Sequence, residues 1–417
     1  MPRAEPILED AQVPGAAVVL APALLEEWLA ERLRPPCAVV PHRLRYKAGT
    51  SVVLGFSLTT GHDGPTERCV ARAYAAEAAA KAAKDVAKSP PGSVLAHDAG
   101  LRLVVTTMAG DRAIPVLGRL AEPEDVARRL SPGDPRAVRL RTLRHNPGRR
   151  WVGVLEQDGA APLLVRAYDG PARMRAAAEC YRALGGRDEV SGPQAPWLVG
   201  RSRRLAAIAV TWAEGTDLAS SGTAGDWRAA GTELARLHDR SGRRLRTRRP
   251  ALAAEAVAAT CDQIALLLPG LAADVLAAGQ EVRRLLERTG GEGGVGEGRA
   301  THGDFSADQV VVGARARPVI VDLDAARRGA AAYDLGCLVA TTPSGDTRLL
   351  DAFASGYEDV RAYPASVDVA VHAVAFRLRK AVEPFRDCAP DWPARVTERV
   401  RAACAALDDL LVTGARR

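Results

Sequence analysis

A mixed α+β chain is predicted, with a small β-rich lobe, a larger helical lobe after it, and an additional α+β subdomain ahead of both. Three observations predict it. One strand–helix–strand pattern occurs twice, a turn-rich segment separates the copies, and helical spacing takes over from about residue 220.

The repeat is legible residue by residue. Leu44-Arg45-Tyr46-Lys47-Ala48-Gly49, followed by Val52-Val53-Leu54-Gly55, parallels Leu143-Arg144-His145-Asn146-Pro147-Gly148, followed by Val152-Gly153-Val154-Leu155. Each copy reaches an Arg-Ala-Tyr, at 72–74 and 166–168, and then Ala-rich helical sequence at 75–88 and 171–184. Each closes on an apolar strand and a Gly turn, Leu101–Gly110 and Leu205–Gly215. Alternating β-branched residues between Gly and Asp turns read as short antiparallel strands. Residues 40–117 and 140–218 are thus two versions of one unit. Ser131-Pro132-Gly133-Asp134-Pro135 supplies the boundary. Apolar stripes at helical spacing follow in Trp227–His238, 251–268, 272–287, Leu349–Val360, Val367–Val382 and Arg395–Leu411. The expected division is 1–137, an N-terminal cap; 138–219, a β-rich lobe and hinge; and 220–417, a helical lobe.

Composition bounds the function. At 417 residues the chain is long enough for two or three compact units. A net charge of +7 favours anionic ligands such as nucleotides, and no basic run interleaved with aromatics points to nucleic acid. The seven cysteines are scattered without a Cys-x-x-Cys or Cys/His cluster, which argues against structural zinc and a disulfide framework and fits a reducing compartment. Val13–Leu25 is too short to span a bilayer and has the wrong flanks for a signal peptide, so a cytoplasmic protein without a membrane partner is expected.

The chemistry concentrates in His302-Gly303-Asp304-Phe305-Ser306-Ala307-Asp308-Gln309 and in Val319-Ile320-Val321-Asp322-Leu323-Asp324. Phosphoryl transfer from a Mg-nucleotide needs one carboxylate to accept the hydroxyl proton and another to hold metal on the phosphates. Asp304 and Asp322, eighteen positions apart, form such a pair. Alone, Asp304 reads as a helix cap and Asp322 as an exposed strand end. As an ordered set followed by Asp334-Leu335-Gly336, they point to function. Magnesium takes oxygen ligands, so the Gln309 amide would serve beside Asp322. Asp324 is either an outer-sphere metal partner or a surface carboxylate. Gly291-Glu292-Gly293-Gly294-Val295-Gly296 fits G-x-G-x-x-G but follows a charged helix and opens none, so 289–299 reads as a linker.

These residues resemble the aminoglycoside phosphotransferase and choline kinase superfamily, relatives of protein kinases, whose pattern is H-G-D-x-x-x-x-N and then I-D. Gln309 stands in place of the Asn; the maltokinases of that superfamily are similar in this and in an extra N-terminal cap. The resemblance covers about two-thirds of the chain. It implies a bilobal protein kinase-like fold with an N-lobe at 138–211, a hinge at 212–219 and a C-lobe from 220. It also implies ATP and Mg²⁺, with Asp304 as general base or hydroxyl-orienting carboxylate and Asp322 and Gln309 on the metal. No lysine lies between 89 and 379, so Arg166 occupies the place of the strand lysine that pairs nucleotide phosphates, with Glu179 as its helix partner. A surface arginine on a strand edge is the plainer alternative for Arg166. The turn around Gly148 would cover the phosphates, and the Ala213–Glu214 backbone would meet adenine. His302 would hold the loop from beneath, Asp334 would cap the next helix or brace the loop, and His238 would be structural.

The function implied is an ATP-dependent O-phosphotransferase acting on a small hydroxylated metabolite such as a sugar, aminocyclitol or antibiotic. A peptide Ser/Thr acceptor in natural-product tailoring is one alternative. A pseudokinase scaffold, suggested by Arg166 and Gln309, is the other.

Overall fold

A computed structural model describes residues 9–33, 37–61, 64–131, 137–186, 192–291, 298–313, 317–342 and 347–414. The repeat becomes two five-stranded antiparallel sheets. The first contains β1 (Cys37–Lys47), β2 (Ser51–Thr60), β3 (Thr66–Tyr74), β4 (Val94–Asp98) and β5 (Leu103–Thr107). The second contains β6 (Arg139–Asn146), β7 (Arg150–Glu156), β8 (Leu163–Tyr168), β9 (Leu198–Ser202) and β10 (Ala207–Thr211). Strand order is the same in both, β1-β2-β3-β5-β4 and β6-β7-β8-β10-β9. The opening hairpins match in detail. Gly49 and Gly148 sit at the middle of equivalent three-residue loops with φ of 63° and 66°, a conformation that costs glycine little and other residues more. Pro147-Gly148 is the residue order such a turn favours.

What covers each sheet differs. Val165, Ala167, Ala207 and Ala209 of the second sheet pack with Ile114–Leu130 on one face. The opposite face, carrying Tyr168, Ile208 and Val210, packs on the helix Pro171–Leu184 and the helical lobe. The first sheet shares a continuous core with the helices Pro22–Leu33, Pro250–Leu267, Ala272–Gly291, Ser366–Ala381 and Trp392–Gly414. Arg43 of β1 fastens it there through Glu383, at 2.8 Å. The cap is therefore built into the C-terminal helices as well as against the second sheet. The helices Pro22–Leu33 and Pro123–Leu130 carry no counterpart in the sequence repeat and were not expected from it.

In the helical lobe, Ala224–Asp239 begins with a reciprocal cap between Thr223 and Asp226. Its Trp227, Leu234 and Leu237 meet Phe305 and Phe353 in one core. Two short ladders then hold the chemical segment: Ala300–Thr301 pairs with Arg327–Arg328, and Val310–Val311 with Val319–Ile320. Asp304 and Asp322 sit on the connections between these ladders. Residues 132–135 of the turn-rich boundary and 292–297 of the Gly/Glu linker lie outside the described residues. Among the described residues, no helix is long and apolar enough to cross a membrane.

Candidate active site

The loop bearing Asp304 is held by one buried carboxylate. Asp334 accepts the N–H of His302 at 2.6 Å and that of Gly303 at 2.7 Å, while His238 Nε2 lies 3.0 Å from it. His238 is in turn fixed by the Tyr357 hydroxyl at 2.8 Å. Burial alone would raise the Asp334 carboxyl, but the His238 hydrogen bond and charge, with the loop amides, hold it below the usual range. Asp334 thus braces the loop; the helix Ala332–Thr341 that it begins has no side-chain cap. His302 is buried beneath, its Nε2 donating to the Val321 carbonyl at 2.7 Å and so tying the Asp304 loop to the Asp322 strand. Gly303 is required: its φ is 92°, and a Cβ there would lie 2.2 Å from the Ala325 carbonyl oxygen. The Asp304 side chain remains about half exposed, with Lys380 Nζ at 3.8 Å.

Asp322 follows the strand with φ of 59°, a left-handed conformation that asparagine and aspartate adopt more readily than other non-glycine residues. Its carboxylate is held by Arg166 of β8, 2.5 Å from Nη2, and Arg150 stands 3.5 Å away. The same Arg166 nitrogen donates to Asp324 at 2.9 Å, and the Tyr168 hydroxyl donates to the other Asp324 oxygen at 2.9 Å. Arg166 is therefore a buried arginine joining β8 to two carboxylates of the helical lobe, in place of a strand-edge surface residue. Burial opposes ionisation of Asp322, yet Arg166 and Arg150 outweigh it and keep the carboxyl below the ordinary range. Asp324 is part of this cluster and is not a free surface group.

Glu179 corrects the expectation. It is not the partner of Arg166; it is half-exposed and pairs with Arg182 on its own helix. It also lines a cleft of about 230 Å³ with Arg175, Arg246 and Arg327. Asp322 and Asp324 reach Arg166 first because that side chain leaves β8 toward the helical lobe.

Gln309 ends a short turn whose carbonyl accepts the Val321 N–H at 2.9 Å, one residue before Asp322; its Nε2 donates to Asp308 at 3.2 Å. The N–H of Gly148 donates at 2.6 Å to Asp111, a fully buried carboxylate of the cap that also binds Arg72 at 2.6 Å and His145 at 2.9 Å. Ala213 is half-buried and Glu214 exposed on the strandless stretch after β10, and neither makes a backbone hydrogen bond to another described residue. Sequence reasoning missed Tyr168, Asp111 and Lys380 as members of this region, and had Arg150 only as part of the turn expected over the phosphates. Only Tyr168 left a signal, as the last residue of the repeated Arg-Ala-Tyr.

The chain matches the model of the phosphotransferase enzyme family over residues 152–368. No curated protein matches it. Among solved structures it is similar to a spectinomycin phosphotransferase crystallised with ADP and spectinomycin, at 11% identity, 68% of this chain, 97% of that one and a TM-score of 0.50. It is also similar to a choline kinase of Streptococcus pneumoniae, at 12% identity, 68% and 97% coverage and a TM-score of 0.51. A choline kinase of Cryptosporidium parvum gives 10%, 70%, 96% and 0.50. At these identities the structures testify to the bilobal kinase-like fold. The family model spans more than half of the chain: this protein belongs to the phosphotransferase enzyme family and is a small-molecule kinase that acts on an alcohol group.

Proposed function

We propose that the protein transfers the γ-phosphoryl group of ATP, with Mg²⁺, to a hydroxyl of a small metabolite such as a sugar or aminocyclitol. The observation that carries this is the pairing of a braced, solvent-open Asp304 with Asp322, which Arg166 holds against β8. In the reaction a new bond forms between the acceptor oxygen and Pγ, the bond from Pγ to the β–γ bridging oxygen breaks, and the acceptor proton passes to Asp304 and on to solvent.

The donor chemistry suits magnesium. Asp322, Asp324 and the Gln309 amide offer oxygen, and Mg²⁺ needs few protein ligands because it keeps waters and substrate phosphates. Asp322 and Gln309 would hold it, and when bound it would offset the negative charge of the phosphates. Arg166 would share its hold on Asp322 with that ion and meet a phosphate oxygen; its Nε is buried without a partner among the described residues. The backbone of Ala213 and Glu214, without a backbone hydrogen bond to another described residue, would meet the adenine edge, and the Gly148 turn, held by Asp111, would lie over the phosphates.

A coupled ATP-consumption screen over hydroxylated metabolites tests this, with Asp322→Asn as blank. That substitution should remove Mg-dependent turnover, and near-normal activity would sink the metal assignment. Asp304→Asn should lower kcat by about 10²–10⁴; a change confined to KM would make Asp304 a binding residue. Acceptance of Ser/Thr peptides in preference to small metabolites would favour the peptide reading.

A further inference from the structure

Three cations, Lys380, Arg379 and Arg248, stand around the Asp304 loop. If the acceptor hydroxyl meets Asp304, the rest of the acceptor lies among the side chains that flank Asp304. The helix Ser366–Ala381 reaches that surface through Lys380, and His372, Phe376 and Arg379 lie on the same face at four-, seven- and eight-residue spacing counted from His372 to Lys380. Lys380 reaches over the Phe376 ring, its Nζ 5.1 Å from the ring centre and 3.8 Å from Asp304. Arg379 donates to the Tyr333 hydroxyl at 2.7 Å.

A third cation comes from another element. The Arg248 guanidinium lies over the Tyr333 ring, 3.7 Å from its centre, and close enough to Gly303 that a Cβ there would stand 2.6 Å from Nη2. Its Nε is buried and has no hydrogen-bond partner among the described residues. Neither Arg248 nor Arg379 has a carboxylate within ion-pair distance among those residues, and Lys380 has Asp304 alone. His372 packs edge-on to Tyr333 at 5.4 Å, and burial, followed by the nearby Arg248, lowers its pKa to about 4, so it is neutral at pH 7. A cationic acceptor would need acidic side chains or an open aromatic face, and Arg248 already covers Tyr333.

We propose that the acceptor carries an anionic group, a carboxylate or a phosphate, beside the hydroxyl that is phosphorylated, and that Lys380 and Arg248 bind that group. This rests on the phosphotransferase reading of Asp304. The shared chemistry is a hydroxylated anion, and the two sources separate experimentally as sugar acids and sugar monophosphates.

The test uses the full chain and four matched acceptor sets: neutral sugars, sugar acids, sugar monophosphates and amino sugars. Coupled ATP consumption should rank the anionic sets first. Lys380→Gln should lower the anionic-to-neutral ratio of kcat/KM by about 10–100-fold, the range of one charge-assisted hydrogen bond. Lys380→Glu should lower it further, and Arg248→Gln should act in the same direction. Preference for amino sugars, or an equal fall in kcat on every acceptor, would overturn the proposal; the latter would make Lys380 part of phosphoryl transfer. A thermal-shift series without nucleotide keeps the two readings distinct. Stabilisation of the wild type by sugar acids or monophosphates, lost in Lys380→Glu, supports the anion site even if no acceptor is turned over. Absence of such stabilisation, with neutral acceptors consumed, overturns the anion site while leaving the phosphotransferase reading standing.

Discussion

Arg72 and Arg166 stand in the third strands of two sheets with the same strand order, each followed by Ala and Tyr. Arg72 turns to Asp111, a carboxylate just beyond its own sheet, and Tyr74 turns to Asp85 on its own helix, at 2.6 Å in both cases. Arg166 and Tyr168 instead cross to Asp322 and Asp324 of the helical lobe. The glycine turns repeat the theme. Gly49 donates its N–H to Asp10 at 2.7 Å, and Gly148 donates to Asp111 at 2.6 Å, so each hairpin is pinned by a carboxylate from the segment before it. One architecture therefore serves two ends. In the first sheet the arginine and the tyrosine both close on structural partners. In the second, the equivalent arginine ends on Asp322, the proposed metal ligand, and on Asp324, while Asp111, just beyond the first sheet, holds the Gly148 turn.

The sharpest way to break this comparison is to remove each arginine in turn. Arg72→Ala leaves Asp111 buried with only His145 and an amide, which should cost about 3–5 kcal/mol of stability. Chemical denaturation would measure it, and nucleotide turnover by the remaining folded fraction should change little. Arg166→Ala should both destabilise and raise KM for ATP, and equal kinetic behaviour of the two variants would erase the distinction. Deleting the cap should be worse than either, since it would strip one wall from the core shared with the C-terminal helices.

Acid sharpens the same contrast. Burial would raise the Asp111 carboxyl, but Arg72 and then His145 and the Gly148 amide overcome it and set its pKa at about 2. A pKa lowered on folding contributes stability above the unfolded value near 4, and that stability is lost as pH falls toward 2. The expected loss is about 2 kcal/mol across that window. Asp111→Asn should flatten this limb of the stability profile, and an unchanged acid limb would refute the assignment.

The smallest effects come from the turns. Alanine at a positive φ costs about 1–2 kcal/mol. In both turns a Cβ would meet the movable end of a side chain, the Gln12 amide oxygen at 2.3 Å at Gly49 and Arg45 at 3.2 Å at Gly148. The two alanine variants should therefore lower the melting temperature by similar amounts, while Gly148→Ala should raise KM for ATP more. A reversed order in the kinetics would remove the turn from the phosphate site.

Much of this was legible in the sequence because it is local. The duplicated strand–helix–strand pattern, the helical stripes and the order of Asp304, Gln309, Asp322 and Asp334 depend on neighbours in the chain, where period and turn chemistry leave a trace. The sequence by itself determined which sheets form and which carboxylates open the candidate catalytic segment. Only the tertiary structure decided what each charge faces. Arg166 and Asp322 are 156 positions apart, and Asp304 and Lys380 are 76 apart. Glu179 lies one helix turn from Arg182, and that local contact, with the outward side of its helix, took it away from the arginine expected to hold it. Side-chain direction on a folded element, set by what packs beneath it, chooses among several oppositely charged partners that a linear pattern leaves equivalent.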